Sequence, residues 1–447
     1  MDETRRKLRE EGDINFSAGR EEWYRQLDPQ TIEWLEKDAA LFLHQSLSTP
    51  CLNVIDSCEG IYITDTSGKR YMDFHGNSVH QVGYRNQFVI DRMKAQLDIL
   101  PFSPRRYTNK TAIALAAKLV SLLPPALNRV LFAPGGTTAV GMALKLARRV
   151  TGKHKVVSVQ GSFHGASLDA IAVGGEEQFR KYMGQLYPET IFIPQTDYYR
   201  NGIEQELQFT AILDEVLSRN EEVGAFIAET IRNTDVQIPA AGFWQRIREI
   251  CDRHNVMLIL DEIPIAFGRT GTLFAFEQYG IVPDILCLGK GLGAGAFPMA
   301  AIVTKEEYNI AGDVALGHYT HEKSPLGAAA ALAMIDYTIQ QNLLEKVKED
   351  EAFVRKELEA MKADFPLIGD VRGKGLLWAI ELVKDPLTRE RAVEEAEQVM
   401  YACLRNGLSF KVSQGNVLQL CPPLIITREE ISAALLIIRQ AIQSVLS

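Results

Sequence analysis

The chain predicts an α/β protein: a large domain built on a mostly parallel sheet with helices on both faces, followed by a smaller α+β lobe. Two patterns carry that expectation. Between residues 129 and 303, seven short apolar runs alternate with helical stretches. From about Asn342 the pattern changes to a long charged helix, a strand, a helix, a short strand and a final amphipathic helix. At 447 residues the chain is long enough for a large core and a second lobe.

Residues 1 to about 50 read as polar helices anchored by Trp23, Trp34 and the run Leu41 to Leu43. Short alternating runs between Ile55 and Phe74, broken at Asp65-Thr-Ser-Gly68, have the signature of a hairpin. The seven strands are expected at Arg129–Phe132, Lys155–Val159, Thr190–Ile193, Val223–Ala228, Val256–Leu260, Ile285–Leu288 and Met299–Val303. In the second lobe, strands are expected at Gly375–Glu381 and Val417–Leu420, with helices over Arg389–Arg405 and from Arg428. The expected division is 1–75 as an N-terminal segment belonging to the small domain, 76–335 as the large domain and 336–447 as the C-terminal small domain.

Composition excludes several classes. A net charge of −9 argues against nucleic acid as a partner. The N-terminus is charged, and no apolar run approaches the length of a membrane span, so a cytoplasmic protein is expected. Six scattered cysteines without paired metal spacing read as reduced core residues, and no metal site is expected.

Chemistry concentrates where the apolar runs end. Ile285-Leu-Cys-Leu-Gly-Lys290 sets one lysine between a buried strand and a glycine-rich turn. Desolvation there disfavours the ammonium form and frees an amine for Schiff-base chemistry. On this stretch alone, a lysine that snorkels into water is the competing reading. About thirty residues upstream, Val256-Met-Leu-Ile-Leu-Asp261 ends on an acid. A strand-end acid and a strand-end lysine together suit pyridoxal phosphate (PLP): the acid holds the proton on the pyridine nitrogen and the lysine holds the aldehyde. Pro134-Gly-Gly-Thr-Thr-Ala139 opens a helix with small residues whose N–H groups suit a phosphate, although such a turn is often only a turn. Phe163, in Ser162-Phe-His-Gly165, can lie flat on a cofactor ring, and Ile263, in Asp261-Glu-Ile-Pro264, can support the other face. His318-Tyr-Thr-His-Glu-Lys-Ser-Pro325 is a polar loop carrying a threonine hydroxyl.

In this order and at these separations the motifs resemble the class III aminotransferases, a family of fold-type-I PLP enzymes. Gly268-Arg-Thr-Gly271, Phe276-Glu-Gln-Tyr-Gly-Ile-Val-Pro-Asp-Ile285 and Val371-Arg-Gly-Lys-Gly-Leu376 are its most specific stretches here, and the likeness covers nearly everything after residue 50. The resemblance implies a homodimer with the active site between subunits. It implies Lys290 as the cofactor lysine, Asp261 as the pyridine partner and Phe163 and Ile263 as the two ring faces. Gly136 and Thr137 become the phosphate cup, and Thr320 the phosphate ligand lent by the other subunit.

Departures from the family pattern bear on the reaction. Pro264 stands where members carry a glutamine that bonds the cofactor phenolate. Thr234 replaces the second glutamate of the family's Glu-Pro-Val-Gln-Gly-Glu run, and Gln419 replaces the arginine that grips a 2-oxo acid. A neutral amide does not replace a bidentate charge. Without it the carboxylate would bind about 2 to 4 kcal/mol more weakly. A single-substrate elimination has no such requirement, so a lyase acting on a small amine with its own leaving group is expected. Arg105 and Arg106, in Ser103-Pro-Arg-Arg-Tyr-Thr-Asn109, are candidate ligands for a phosphate or phosphonate, with interface salt bridges as the alternative; Lys323, Lys411 and Arg232 add charge. Phe74-His-Gly-Asn-Ser-Val-His-Gln-Val-Gly83, the Arg105–Arg106 loop and Thr320-His-Glu-Lys-Ser-Pro325 together resemble the branch of the family with (R)-1-hydroxy-2-aminoethylphosphonate ammonia-lyase activity. Competing expectations are a conventional aminotransferase using Arg105 or Arg106 for its oxo acid, and an amino-acid racemase using the same lysine.

Overall fold

The computed structural model describes residues 17–43, 45 and 51–446. The expected helices of residues 1–16 lie outside the described residues. Helices Ala18–Arg25 and Pro29–Leu41 begin the description, each capped by a side chain: Ser17 accepts from the Arg20 N–H and Asp28 from the Thr31 N–H.

Three strands follow: β1 (Ile55–Glu59), β2 (Tyr62–Asp65) and β3 (Arg70–Asp73), all antiparallel neighbours. The turn between β2 and β3 is the one read from Asp65-Thr-Ser-Gly68. Asp65 Oδ1 accepts from the Ser67 and Lys69 N–H groups, and Gly68 takes a φ of +84°.

The large sheet contains β4 (Arg129–Ala133), β5 (Lys155–Val159), β6 (Thr190–Ile193), β7 (Val223–Glu229), β8 (Met257–Asp261), β9 (Ile285–Leu288) and β10 (Ala300–Thr304), in the order β4-β10-β9-β8-β7-β5-β6. Only β10 runs against the rest, pairing antiparallel with both β4 and β9. Continuous burial along β8 and β9 matches their unbroken apolar sequences, because a central parallel strand is covered on both faces. The expected strands are all present, with ends shifted by one residue at β4, β7, β8 and β10. The shift at β8 brings Asp261 into the ladder, opposite Glu229 on β7.

The C-terminal lobe is built on β11 (Ile368–Lys374), β12 (Leu377–Leu382), β13 (Leu408–Ser409), β14 (Lys411–Ser413) and β15 (Val417–Leu420). Its four-stranded sheet has the order β11-β12-β15-β14, while β13 pairs parallel with β3 and so ties the N-terminal strands to this end of the chain. Sequence reasoning placed one strand at Gly375–Glu381. Instead a hairpin turns at Gly375, φ +59°, where a Cβ would lie 2.3 Å from the Arg269 carbonyl oxygen. The short β13 and β14 were not anticipated, being too brief to show a period. The helix expected from Arg389 starts at Val393, since Arg389 has a φ of +57°. The expected boundary at 335/336 falls inside the helix Pro325–Gln340, which Ser324 caps and Pro325 opens. All six cysteines are free, four of them buried.

Candidate active site

A cavity of about 800 Å³ opens at the C-terminal ends of the central strands, and Lys290, Asp261, Phe163, Ile263, Gly136 and Thr137 all line it. Six residues spread over more than 150 positions therefore meet in one place. The parallel strands do this: each ends at the same edge of the sheet, and the loop after each turns into the same crevice.

Asp261 closes β8 at 2 % exposure. Its Oδ2 lies 2.8 Å from His164 Nδ1, and its Oδ1 accepts from the Ile263 N–H at 3.0 Å. Carboxylate and imidazole are thus buried together, with both Asp261 oxygens engaged and the orientation of the acid determined. Lys290 follows β9 by two residues and adopts a φ of +44°, a left-handed conformation costly for a residue with a side chain. The glycines on either side, Gly289 and Gly291, leave room for that turn: a Cβ at Gly291 would lie 2.2 Å from the Gln81 side chain.

The helix Gly136–Thr151 points its N-terminus at the cavity, and no side chain caps it. A helix start without a capping side chain suits an anion. Close packing shapes this corner. A Cβ at Gly136 would come within 3.1 Å of Ile263 Cδ1, and one at Gly165, φ +124°, within 2.5 Å of Thr137 Oγ1. Thr137 is itself tied to Ser167 by a hydroxyl pair at 2.6 Å. Acid, lysine, flanking Phe163 and Ile263, and anion-ready helix start match pyridine ring, aldehyde and phosphate in turn; the residues present fit pyridoxal phosphate.

Other groups on the cavity went unassigned by sequence reasoning. Glu229 ends β7 beside Asp261, receives the Asn233 N–H at 2.6 Å, and has its carboxyl pKa raised by burial against the opposing pull of His164. His75 is pulled down to about 4 by burial, then by the charge of Lys411, with Asp73 opposing and Lys290 adding. Arg20, on the first described helix, is 5 % exposed and also lines the cavity. His164 stood in a quoted strand-end motif and was within reach of inference. Nothing in the sequence around Arg20 announced its destination.

The replaced family positions sit on this wall as well. Gln419 is 2 % exposed and its amide donates to the Asn233 carbonyl; Thr234 and Pro264 line the cavity beside it. Lys411 lies across from Gln419 in the β14–β15 ladder and also lines the cavity.

The remaining candidates lie elsewhere in the subunit. Thr320, Arg106 and Lys323 are exposed and off this cavity. Arg105 lies on a second cavity of about 390 Å³, 2.6 Å from His318 Nε2 and 3.9 Å from Glu322. The expectation that Arg105 and Arg106 join the cofactor pocket is not met within one subunit, because their loop leads away from the strand ends. Arg232 is buried but committed to structure, 3.3 Å from Asp235 and donating to the Gly161 carbonyl at 2.7 Å. Among the described residues there is no cluster of metal-ligating side chains, and no helix is long and apolar enough to cross a membrane.

Comparison with known proteins agrees with this geometry. The class-III aminotransferase family profile matches residues 44–442. An (R)-1-hydroxy-2-aminoethylphosphonate ammonia-lyase from Vibrio splendidus is 53 % identical, over 98 % of this chain and 96 % of its own. A leucine/methionine racemase from Thermococcus litoralis is 31 % identical over 92 % of this chain and 96 % of its own. The crystal structure of taurine:2-oxoglutarate aminotransferase from Bifidobacterium kashiwanohense, in complex with PLP and glutamate, superposes with a TM-score of 0.87 at 27 % identity, covering 94 % of this chain and 98 % of that one. With the fold, the strand-end lysine and acid, and a profile spanning nearly its whole length, the chain belongs to the class III aminotransferase family.

Proposed function

We propose that this chain is a PLP-dependent ammonia-lyase that converts (R)-1-hydroxy-2-aminoethylphosphonate to phosphonoacetaldehyde and ammonia. The observation that carries the reading is the 53 % identity, over nearly the full length, to an enzyme of that name. The neutral wall supports it: Gln419 is held by the Asn233 carbonyl, and Thr234 carries no charge with which to grip or release an oxo acid.

In this reading Lys290 would hold the cofactor aldehyde through its amine, and with substrate bound that amine would be free to move protons. Lys290 Nζ then takes the proton from the amine-bearing carbon and delivers it to the hydroxyl on the next carbon, which leaves as water. When bound, pyridoxal phosphate supplies the electron sink that accepts the pair left by the departing proton. Asp261 holds the pyridine N–H, and His164 fixes the direction of that carboxylate. Phe163 and Ile263 flank the ring, and the N–H groups at Gly136 and Thr137 receive the phosphate. Hydrolysis of the unsaturated amine that remains yields the aldehyde and ammonia, so no second substrate is required. We assign Thr320 to the phosphate of the neighbouring subunit in a homodimer. Arg105 and Arg106, if they act on the substrate, act from that same neighbour. A cytoplasmic enzyme with the lobes expected from sequence, the second boundary moved from 335 to the end of the helix Pro325–Gln340, completes the proposal.

The runner-up is an aminotransferase, the activity named for the superposed Bifidobacterium enzyme. Nitrogen accounting separates them. With 15N-labelled substrate, label should appear as free ammonium at the rate of aldehyde formation, unaffected by added 2-oxoglutarate or pyruvate. Label appearing in an amino acid made from the added oxo acid would overturn the lyase and restore the aminotransferase.

A further inference from the structure

The turn that follows β3 lines the cavity with polar residues outside the cofactor corner: His75, Asn77 and Ser78. Three successive residues in it, Gly76, Asn77 and Ser78, take φ values of +45°, +46° and +57°. Left-handed backbone at residues with side chains is costly and persists only where neighbours enforce it. Here they do. Asp73 Oδ1 accepts the N–H groups of His75 at 2.9 Å and Gly76 at 3.0 Å, while Asp73 Oδ2 accepts the Tyr84 hydroxyl at 2.6 Å. Phe74 donates its N–H to the Ser409 carbonyl at 2.8 Å and accepts the Cys421 N–H at 2.7 Å, which pins the turn beside β13 and the end of β15. So placed, the half-buried His75 ring feels the charges of both Lys411 and Lys290. Its hydrogen bond with the Asn77 side chain is one that favours a proton on the imidazole, so the nitrogen engaged there is the donor and the other is the acceptor. Among the described residues, no hydrogen bond is made to that second nitrogen.

We propose that His75 holds the hydroxyl group that departs from the substrate, accepting its hydrogen and turning its oxygen toward Lys290. This inference rests on the reading of the enzyme as an aminophosphonate lyase and assigns that reaction's leaving group to a residue. The hydrogen-bond inventory selects the hydroxyl. Burial, then the charge of Lys411, keeps the ring neutral, and a neutral acceptor nitrogen offers nothing to an ionised phosphonate, whose oxygens are acceptors too. Of the substrate's two donor groups, the amine is engaged at the cofactor aldehyde, and the hydroxyl remains. With its hydrogen on His75, the hydroxyl oxygen has lone pairs open to Lys290 Nζ. When the C–O bond breaks, its electron pair stays on oxygen. The proton that Lys290 took from the amine-bearing carbon joins that oxygen, water departs, and the electrons of the broken C–H bond form the new C=C bond. His75 keeps the proton it began with. An imidazolium could not accept the hydroxyl hydrogen, and it would repel the ammonium that Lys290 becomes between the two transfers.

The test separates the hydroxyl from the rest of the substrate. Holoenzyme is given three amines: (R)-1-hydroxy-2-aminoethylphosphonate; its 1-chloro analogue, whose chloride leaves without a proton; and, in D2O, 2-aminoethylphosphonate, which has no leaving group and reports only exchange at the amine-bearing carbon. His75→Ala should lower kcat/KM for ammonia release from the hydroxy amine about tenfold or more, while chloride elimination and deuterium exchange stay within about threefold of the parent. Asn77→Gly keeps the left-handed turn but removes the partner that orients the ring. It should give the same pattern with a severalfold loss, and it carries the test if His75→Ala does not fold. Equal losses on all three amines, or no loss on the hydroxy amine, would overturn the assignment while leaving the lyase intact. A parent enzyme that releases ammonia from the chloro amine but none from the hydroxy amine would refute the lyase reading, and the assignment with it.

Discussion

Replacing Gly165 by alanine should cost the enzyme its cofactor, and the structure allows the size of the loss to be worked out. Gly165 has a φ of +124°, and the new methyl would sit 2.5 Å from Thr137 Oγ1 and 2.8 Å from Thr137 Cα. Holding a non-glycine residue in such a conformation costs about 1–3 kcal/mol, and forcing a methyl into packed surroundings costs roughly 1–3 more. Thr137 cannot swing aside freely, because its hydroxyl pairs with that of Ser167 and accepts the Ser167 N–H at 3.1 Å. The displacement therefore falls on the helix start assigned to the phosphate. If the roughly 2–6 kcal/mol appears as lost affinity, PLP binds about 1.5 to 4 decades more weakly. Apoenzyme would be titrated with pyridoxal phosphate, following the visible band and quenching of tryptophan fluorescence. Gly152→Ala is the control: that glycine ends the same helix at φ +70° with nothing within 4 Å of a new Cβ, so the substitution should lower Tm and leave cofactor affinity alone. A Gly165→Ala protein whose affinity stays within about threefold of the parent, with a Tm loss like that of Gly152→Ala, would refute the phosphate cup.

Three further outcomes are expected. His164→Ala removes a buried hydrogen bond to a carboxylate, worth about 1.5–3 kcal/mol, and should lower kcat ten- to a hundredfold and move the pH dependence of the visible cofactor band; parental values of both would show that His164 does not position Asp261. Heterodimers of Lys290→Ala and Thr320→Ala subunits should contain one site carrying neither defect and regain activity. No recovery despite demonstrated subunit exchange would place Thr320 in its own subunit's site. His75, held down to about 4 against an ordinary 6.5, binds its proton more readily in the unfolded chain. Its contribution is present above pH 6.5 and is lost as pH falls towards 4. Urea unfolding of His75→Gln should lack that part of the acid destabilisation, and parallel curves for parent and variant would exclude it.

Much of the cofactor corner was legible because its residues follow the strongest local signals in the chain. Four- and five-residue apolar runs end abruptly at Leu288 and Asp261, and a parallel sheet brings such ends to one edge. Sequence by itself thus determined the fold class and the family, and it singled out the lysine, the acid, Phe163, Ile263 and the glycine-rich helix start that the structure brings to one cavity. Lobe docking and side-chain direction were decided only in three dimensions. The His164–Asp261 bond joins residues 97 positions apart, and no local pattern encodes which imidazole nitrogen meets which carboxylate oxygen. Arg105 and Arg106 were read as ligands from the resemblance, which sets their loop at the subunit interface, and within one subunit Arg105 meets His318 and Glu322 on another cavity. Arg20 looked like one charge among many on a polar helix, until the burial of Trp23 turned that helix and set the arginine against the pocket. Periodicity specifies which face of an element is apolar. Which pocket its polar residues reach depends on the packing of that face against parts of the chain distant in sequence, and that is settled only when the whole core closes.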